Sequence, residues 1–452
     1  MDALERRSVL ALALIYLFRM LGLFLIMPVI SVAADGINGA DAAMIGMAIG
    51  IYGFTQAFLQ IPMGMWSDKI GRKRVIIIGL LLFALGSLIC ANANDIMVLI
   101  IGRAVQGAGA IASTLMALLS DVTREQNRTK AMATVGISIG ASFMLSLVLG
   151  PWLFDLVGLA GLFYLSFFFS LLGIGLIVFA VPNIVQHTFR RDTTPSLVAL
   201  GRVLKDGQLR FLNISVLLLH GSLTALFLTI PNLLINQFDL PLAQHSWLYL
   251  AVMGFAFVGM VPLVIIAETK GKMKGVLIFV VAMLGFSALL LQWAPQIWIF
   301  GLLLWLYFIG FNTLEATLPS LISKLAPVGY RGTAMGVFST HQFMGSFIGG
   351  LCGGWLLQYY SSSAVFWAVG GVLLVWTLAC YWQTPPKQLS SLAFSLTETN
   401  DQAVSELSAK LAQVQGVEDM QIFSDEQTAY LKVDKKLLDK DALRQIAPQI
   451  NL

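Results

Sequence analysis

Few ionisable side chains interrupt the apolar stretches of this chain, and those few are the ones able to do chemistry. Glu315 is the one carboxylate well inside an apolar run. Burial disfavours its charged form, which brings its proton affinity into a range where it can take up and release a proton. With a helical rise of 1.5 Å per residue, it lies about 9 Å from the nearer end of its run. It is read as a proton carrier or as one side of a static ion pair. His220 and His341 lie in two other runs. An imidazole there relays a proton or simply packs, and His341, at similar depth, is placed as a neighbour of Glu315. Arg19 and Arg103 complete the set. Arg19 sits near the middle of its run, where it can meet an anionic group or hold Glu315 ionised, and the two roles predict opposite proton behaviour.

A second concentration of charge is the stretch GMWSDKIGRKR, residues 64–74. Gly71 permits a tight turn and Gly64 a close helix approach. Asp68 lies near the start of the following helix, where the helix dipole favours an anion. Arg72 can pair with Asp121, which ends another run on the same side.

The elements that carry these residues follow from composition. The chain has 452 residues, 58% hydrophobic and 12% charged, against about a quarter charged in soluble domains. It is read as an all-α membrane protein crossing the bilayer many times. A span needs about 20 mostly apolar residues. Twelve are found, at 8–32, 43–66, 74–92, 96–119, 131–154, 161–182, 211–235, 246–267, 275–293, 296–321, 333–358 and 362–382. The first is too long for a signal-peptide core and reads as a retained span. Twenty of the 28 lysines and arginines fall at the N-terminus or after even-numbered spans, and none after odd-numbered ones. That asymmetry puts both termini in the cytoplasm. Cys90, Cys352 and Cys380 all lie in apolar runs without a CxxC pair, so neither a structural metal nor a disulfide framework is expected. The net charge of +4 makes no case for nucleic acid.

The two halves repeat. LFLIMP at 23–28 returns as LFLTIP at 226–231, and IPMGMWSDKIGRKR at 61–74 returns as VPLVIIAETKGKMK at 261–274. LLSD at 118–121 is echoed by LISK at 321–324. A parallel six-plus-six repeat gives two helix bundles with a cavity between them. The expected domains are 1–182 and 211–383, joined by a cytoplasmic linker at 183–210 that ends in an amphipathic helix. After a linker at 384–391, residues 392–452 hold 10 of the 24 acidic residues. Their pattern, strand, helix, two strands and helix, suggests a small ferredoxin-like α+β domain, read as a regulatory or ligand-binding module or as an ordered tail of minor function.

The stretch Gly64 to Arg74 resembles the GxLaDrxGrkxxl motif of the major facilitator superfamily, with Trp66 in place of the usual leucine. LIIGRAVQGAGAI at 99–111 resembles that family's span-4 motif at Arg103, Gln106 and Gly107. Gly150-Pro151 resembles the span-5 antiporter motif, although Phe154 and Asp155 replace its glycine pair. The resemblance covers residues 8–383 and implies a drug/proton antiporter-like protein of the bacterial inner membrane, surrounded by lipid and acting as a monomer. It implies a conformational latch of Gly64, Asp68, Gly71, Arg72 and Asp121, with the outward-open state held closed to the cytoplasm. It places spans 1, 4, 7 and 10 around a central cavity, with span 11 beside it, and assigns Arg103 to stabilising the span-4 interior. The cavity candidates for a small-molecule substrate are Tyr52, Gln56, Phe227, Asn232, Trp305, Tyr307, Phe311 and Asn312.

No catalytic triad, phosphate loop or nucleotide motif is present, so an enzyme is not expected and the proton gradient, rather than a cofactor, is the expected energy source. Export of small amphipathic compounds is the leading reading. Import of a metabolite on the same fold, or a sensor read out by the C-terminal domain, are the alternatives.

Overall fold

The computed structural model describes residues 1–182, 197–328, 330–384, 389–396, 401–423, 428–434 and 437–446. The polar half of the linker, including His187, Arg190, Arg191 and Asp192, and the turn at 424–427 lie outside them.

Helices start where short polar residues can satisfy free backbone N–H groups. Asp2 caps α1 (Ala3–Phe24) by accepting from Glu5 N at 2.8 Å. A single turn, α2 (Ile30–Ala33), follows after Pro28. Asp41 caps α3 (Ala42–Ile70), which runs to Gly71, and α4 (Arg72–Ala91) follows at once. Gly71 has φ 101°, and Gly271, at the related turn of the second half, has φ 67°. Both turns need a left-handed backbone that glycine alone adopts without strain. The fourth span is broken into α5 (Ile96–Ala108), capped by Asp95, and α6 (Ala112–Asp121).

Next comes α7 (Glu125–Phe179), bent at Gly158 with φ 67° and ψ −177°. Its 55 residues would measure about 80 Å if straight, far beyond one ~30 Å hydrocarbon layer, so it supplies two spans. The amphipathic linker helix is α8 (Leu197–Lys205). Asp206 then caps α9 (Gly207–Phe238), which starts four residues before the expected 211 because that cap is available. The remaining spans are α10 (His245–Thr269), α11 (Met273–Leu291), α12 (Ile297–Leu325), α13 (Arg331–Tyr359) and α14 (Ser362–Trp382). Ten helices are long and apolar enough to cross a membrane. The long bent helix counts once among them, and the glycine-rich α13 is not among them; with these the described residues make twelve crossings.

The core follows the repeat, apart from crossovers such as Met27, Phe143 and Leu147, which pack with the second half. Residues such as Leu12, Ile15, Phe83, Leu115 and Ile177 fill the first half, and Leu219, Val280, Phe308, Leu314 and Leu373 the second. The outward faces carry exposed Phe168, Phe179, Phe255, Trp298 and Trp367, which suits helices solvated by lipid rather than water.

The C-terminal domain is a three-stranded antiparallel sheet of order β1-β3-β2, with β1 (Leu389–Ser395), β2 (Val417–Phe423) and β3 (Thr428–Asp434). Helices α15 (Asp401–Ala412) and α16 (Lys440–Ile446) complete it. Phe394, Leu411, Leu431 and Leu443 share one apolar core. β1 begins at Leu389, three residues earlier than the expected start at 392, because Leu389 still pairs with Asp434.

Candidate functional site

The ionisable residues singled out from the sequence gather mainly in three polar clusters. The first is the turn between α3 and α4. Arg72 Nη1 lies 2.5 Å from Asp68 Oδ1, and Arg72 Nε lies 3.1 Å from Asp121 Oδ2. Arg72 Nη1 also donates to Ser67 Oγ at 2.9 Å, and that hydroxyl donates to the Gly64 carbonyl at 2.6 Å. Asp68 lies in the last turn of α3 and Arg72 is the first residue of α4. Each charge is thus at the helix end whose dipole disfavours it, and each offsets the other. This differs from the sequence expectation, in which Asp68 served the start of the following helix. The ion pairs at this turn join spans 2, 3 and 4 of one half. The related turn of the second half is built with the signs exchanged: Glu268 binds the Lys324 ammonium and accepts from Ser320 Oγ.

The second cluster joins spans 7, 10 and 11. His220 Nε2 lies 3.0 Å from Glu315 Oε2 and 2.8 Å from Gln342 Nε2, and Gln342 Nε2 donates to Glu315 Oε1 at 3.2 Å. Glu315 is ten residues from the end of α12, about 15 Å along the helix. The helix runs four residues past the expected span end at 321, which accounts for the difference from the expected 9 Å. The Glu315 side chain is 35% exposed and that of His220 8%. An amide nitrogen only donates, so its 2.8 Å approach to His220 Nε2 requires that ring atom to be bare. Glu315 then meets it as a protonated carboxyl, with its O–H donating to Nε2 while Gln342 donates to Oε1. With Glu315 ionised and the imidazole proton on Nε2, two donors would face each other, so the Gln342 amide has to move away. His341 is not the neighbour of Glu315. Its Nδ1 faces the Val337 carbonyl of its own helix at 2.8 Å, and successive helix residues point about 100° apart, so Gln342 takes that place.

The third cluster is in the first half. Arg19 Nη2 donates to Gln56 Oε1 at 2.7 Å, to the Gly109 carbonyl at 3.0 Å and to the Tyr52 hydroxyl at 3.2 Å. Among the described residues it forms no ion pair, with Glu315 or any other acid. Arg103 Nε donates to the Ala48 carbonyl at 3.2 Å and Nη1 to Gln106 Oε1 at 2.9 Å, and its guanidinium lies 4.9 Å from the centre of the Tyr52 ring.

Comparison with known proteins fits this architecture. The profile of the Major Facilitator Superfamily matches residues 12–349 and 212–413. The chain belongs to the major facilitator superfamily. It is 41% identical to the inner membrane transport protein YajR of Escherichia coli (strain K12) over 446 residues, 98% of each chain. It is 27% identical to the multidrug resistance protein MdtH of Aeromonas salmonicida (strain A449) over 392 residues, 83% of this chain and 95% of that one. The solved structure of a D-xylose-proton symporter superposes with a TM-score of 0.69 at 14% identity, covering 84% of this chain and 98% of that one.

Within this major facilitator fold the remaining motif residues are packing points. Gln106 Nε2 donates to Ser87 Oγ at 2.8 Å. A Cβ on Gly107 would lie 2.3 Å from the Tyr52 carbonyl, and one on Gly150 2.6 Å from that of Leu25. Pro151 follows inside α7. The cavity candidates separate. Tyr52 and Gln56 belong to the Arg19 cluster. Phe227, Tyr307 and Phe311 are buried beside Phe308 in the second half, with the Tyr307 hydroxyl 2.9 Å from Ser222 Oγ. Asn232 Nδ2 donates to the Ser31 carbonyl at 3.3 Å across the two halves. The buried Trp305 Nε1 and Asn312 Nδ2 have no partner. Sequence reasoning counted Gln342 only among polar residues able to line a cavity and did not pair it with Glu315, and it gave no role to Ser67, whose hydroxyl signals nothing without the turn around it.

Proposed function

We propose that the chain is a proton-coupled exporter of small amphipathic compounds, working by alternating access. The observation that carries this reading is the Glu315–His220–Gln342 cluster inside the spans, where the gain or loss of one proton on Glu315 changes how Gln342 of span 11 is held. Names among the relatives support the direction: one is an inner membrane transport protein and another a multidrug resistance protein. The charge asymmetry of the loops supports a cytoplasmic membrane with both termini inside. On that orientation, the side closed between the halves is the outer one. There Ala42 N donates to Gln358 Oε1 at 3.1 Å, and a Cβ on Gly46 would lie 2.2 Å from the Gly350 carbonyl. The closed outer face supports an inward-facing state, and the turn around Arg72 then acts as a brace inside the first half that keeps spans 2–4 moving together.

The test uses proteoliposomes with an imposed pH gradient and a panel of fluorescent amphipathic compounds. Wild type is expected to move at least one compound against its gradient, and Glu315→Gln to lose that coupling while still exchanging compound downhill. A variant that couples as well as wild type removes Glu315 from the proton path.

A further inference from the structure

We propose that Arg19 is an anion-recognition point on the transport path, so that the favoured substrates are amphipathic compounds bearing a carboxylate or a similar single negative charge. This rests on the reading of the chain as a transporter of amphipathic compounds and specifies their charge.

Arg19 is 2% exposed. Its Nη2 meets three acceptors, but its buried Nε and Nη1 meet none. Among the described residues no carboxylate pairs with it. Arg103, 3% exposed, is a second buried guanidinium, 4.9 Å from the centre of the Tyr52 ring, and likewise has only neutral partners. Two buried cations thus contact one tyrosine, at its hydroxyl and at its ring, while Glu315 is engaged in the other half. A buried charge without a counter-charge is costly, and unused N–H groups add to the cost. A passing anion would relieve both.

The surroundings suit such an occupant. The Gly109 carbonyl that faces Arg19 lies in the break between α5 and α6, and interrupted spans mark binding sites in transporters. The buried Tyr52 ring meets Phe83 and Phe343, each at 6.4 Å, and would meet an aromatic body only once uncovered. Phe343 belongs to span 11 of the other half, so the roof over this cluster is on the part that must move. The cluster becomes accessible as the halves part.

The test is binding rather than transport. The full-length protein in a neutral detergent is unfolded thermally with 2-naphthoate, the neutral 2-naphthamide or the cationic 2-naphthylmethylammonium. Wild type is expected to be stabilised by naphthoate well above the other two. Arg19→Gln is expected to abolish that preference. Arg19→Lys, which keeps the charge on a different head group, is expected to weaken naphthoate several-fold with naphthamide unchanged, and it serves if the glutamine variant fails to fold. A wild type without naphthoate preference, or a preference untouched in either variant, overturns the proposal. Because no gradient is imposed, loss of proton-driven transport leaves this result standing, and proton-driven export of cations alone would remove it while leaving the transport reading intact.

Discussion

Asp68 and Glu268 occupy related turns, yet burial makes their ion pairs unequal. Around Arg72 the three side chains are 6–13% exposed, whereas Lys324 and Glu268 are 36% and 26% exposed. Breaking a buried pair by removing one partner costs about 3–5 kcal/mol, because a charge is left without compensation. A pair open to solvent contributes about 0–1 kcal/mol. Asp121→Asn keeps the shape and leaves Arg72 with Asp68, so its cost belongs at the low end, about 3 kcal/mol. Glu268→Gln is expected to cost under about 1 kcal/mol. Thermal unfolding of the purified variants checks this, and equal losses would refute the ranking. Only half of the contrast is visible in the sequence. The matching positions of Asp68 and Glu268 are legible from the offset of the repeat. The exchange of sign, with Lys324 standing where Asp121 does, shows its purpose only once span 10 is seen beside the turn.

At the level of elements, the contact between α3 and α13 joins the two halves through facing glycines. A Cβ on Gly46 would lie 2.2 Å from the Gly350 carbonyl, one on Gly50 2.8 Å from the Phe347 carbonyl, and one on Gly53 2.4 Å from the Phe343 carbonyl. Helices approach this closely only where small residues face each other. A methyl at Gly46 meets rigid backbone, so the helices must separate. With spin labels at Asp41 and Tyr360 in a background lacking Cys352, Gly46→Ala is expected to lengthen the distance distribution and populate the outward-open form. An unchanged distribution would show that the closure is held elsewhere. Such packing explains where the sequence was readable and where it was not. Hydropathy and charge located the spans, and Gly71 with Gly271 located the matching turns, because these are local demands on the backbone. The choice of Gln342 over His341 as the partner of Glu315 depends on the rotation of α13 about its axis. That rotation is set by the glycine face packed on α3, and no local pattern around residue 341 encodes it.

For the whole molecule, the C-terminal domain touches the transporter at the junction of spans 10 and 11. Val328 N donates to Asp419 Oδ2 at 3.4 Å, Gln421 Nε2 donates to the Tyr330 hydroxyl at 3.3 Å, and Tyr330 packs against Tyr430. The order of strands and helices in this domain is legible from its alternating and helical patterns, but its docking point is not, because polar contacts at long sequence separation leave no periodicity. The junction matters because span 10 carries Glu315 and span 11 carries Gln342, Phe343 and the glycines packed on α3. Alternating access rocks one half against the other, so a load on this junction biases the balance of states. The contacts at this junction include two long hydrogen bonds, and each 1.4 kcal/mol of differential contact changes an equilibrium about tenfold. The double variant Asp419→Ala, Gln421→Ala is therefore expected to raise hydrogen exchange at Val328 and Tyr330 and to change the transport rate by up to about tenfold, with the domain itself still folded. Faster exchange with an unchanged rate would make the domain a passenger on this junction. Unchanged exchange would mean that the two hydrogen bonds do not hold it there.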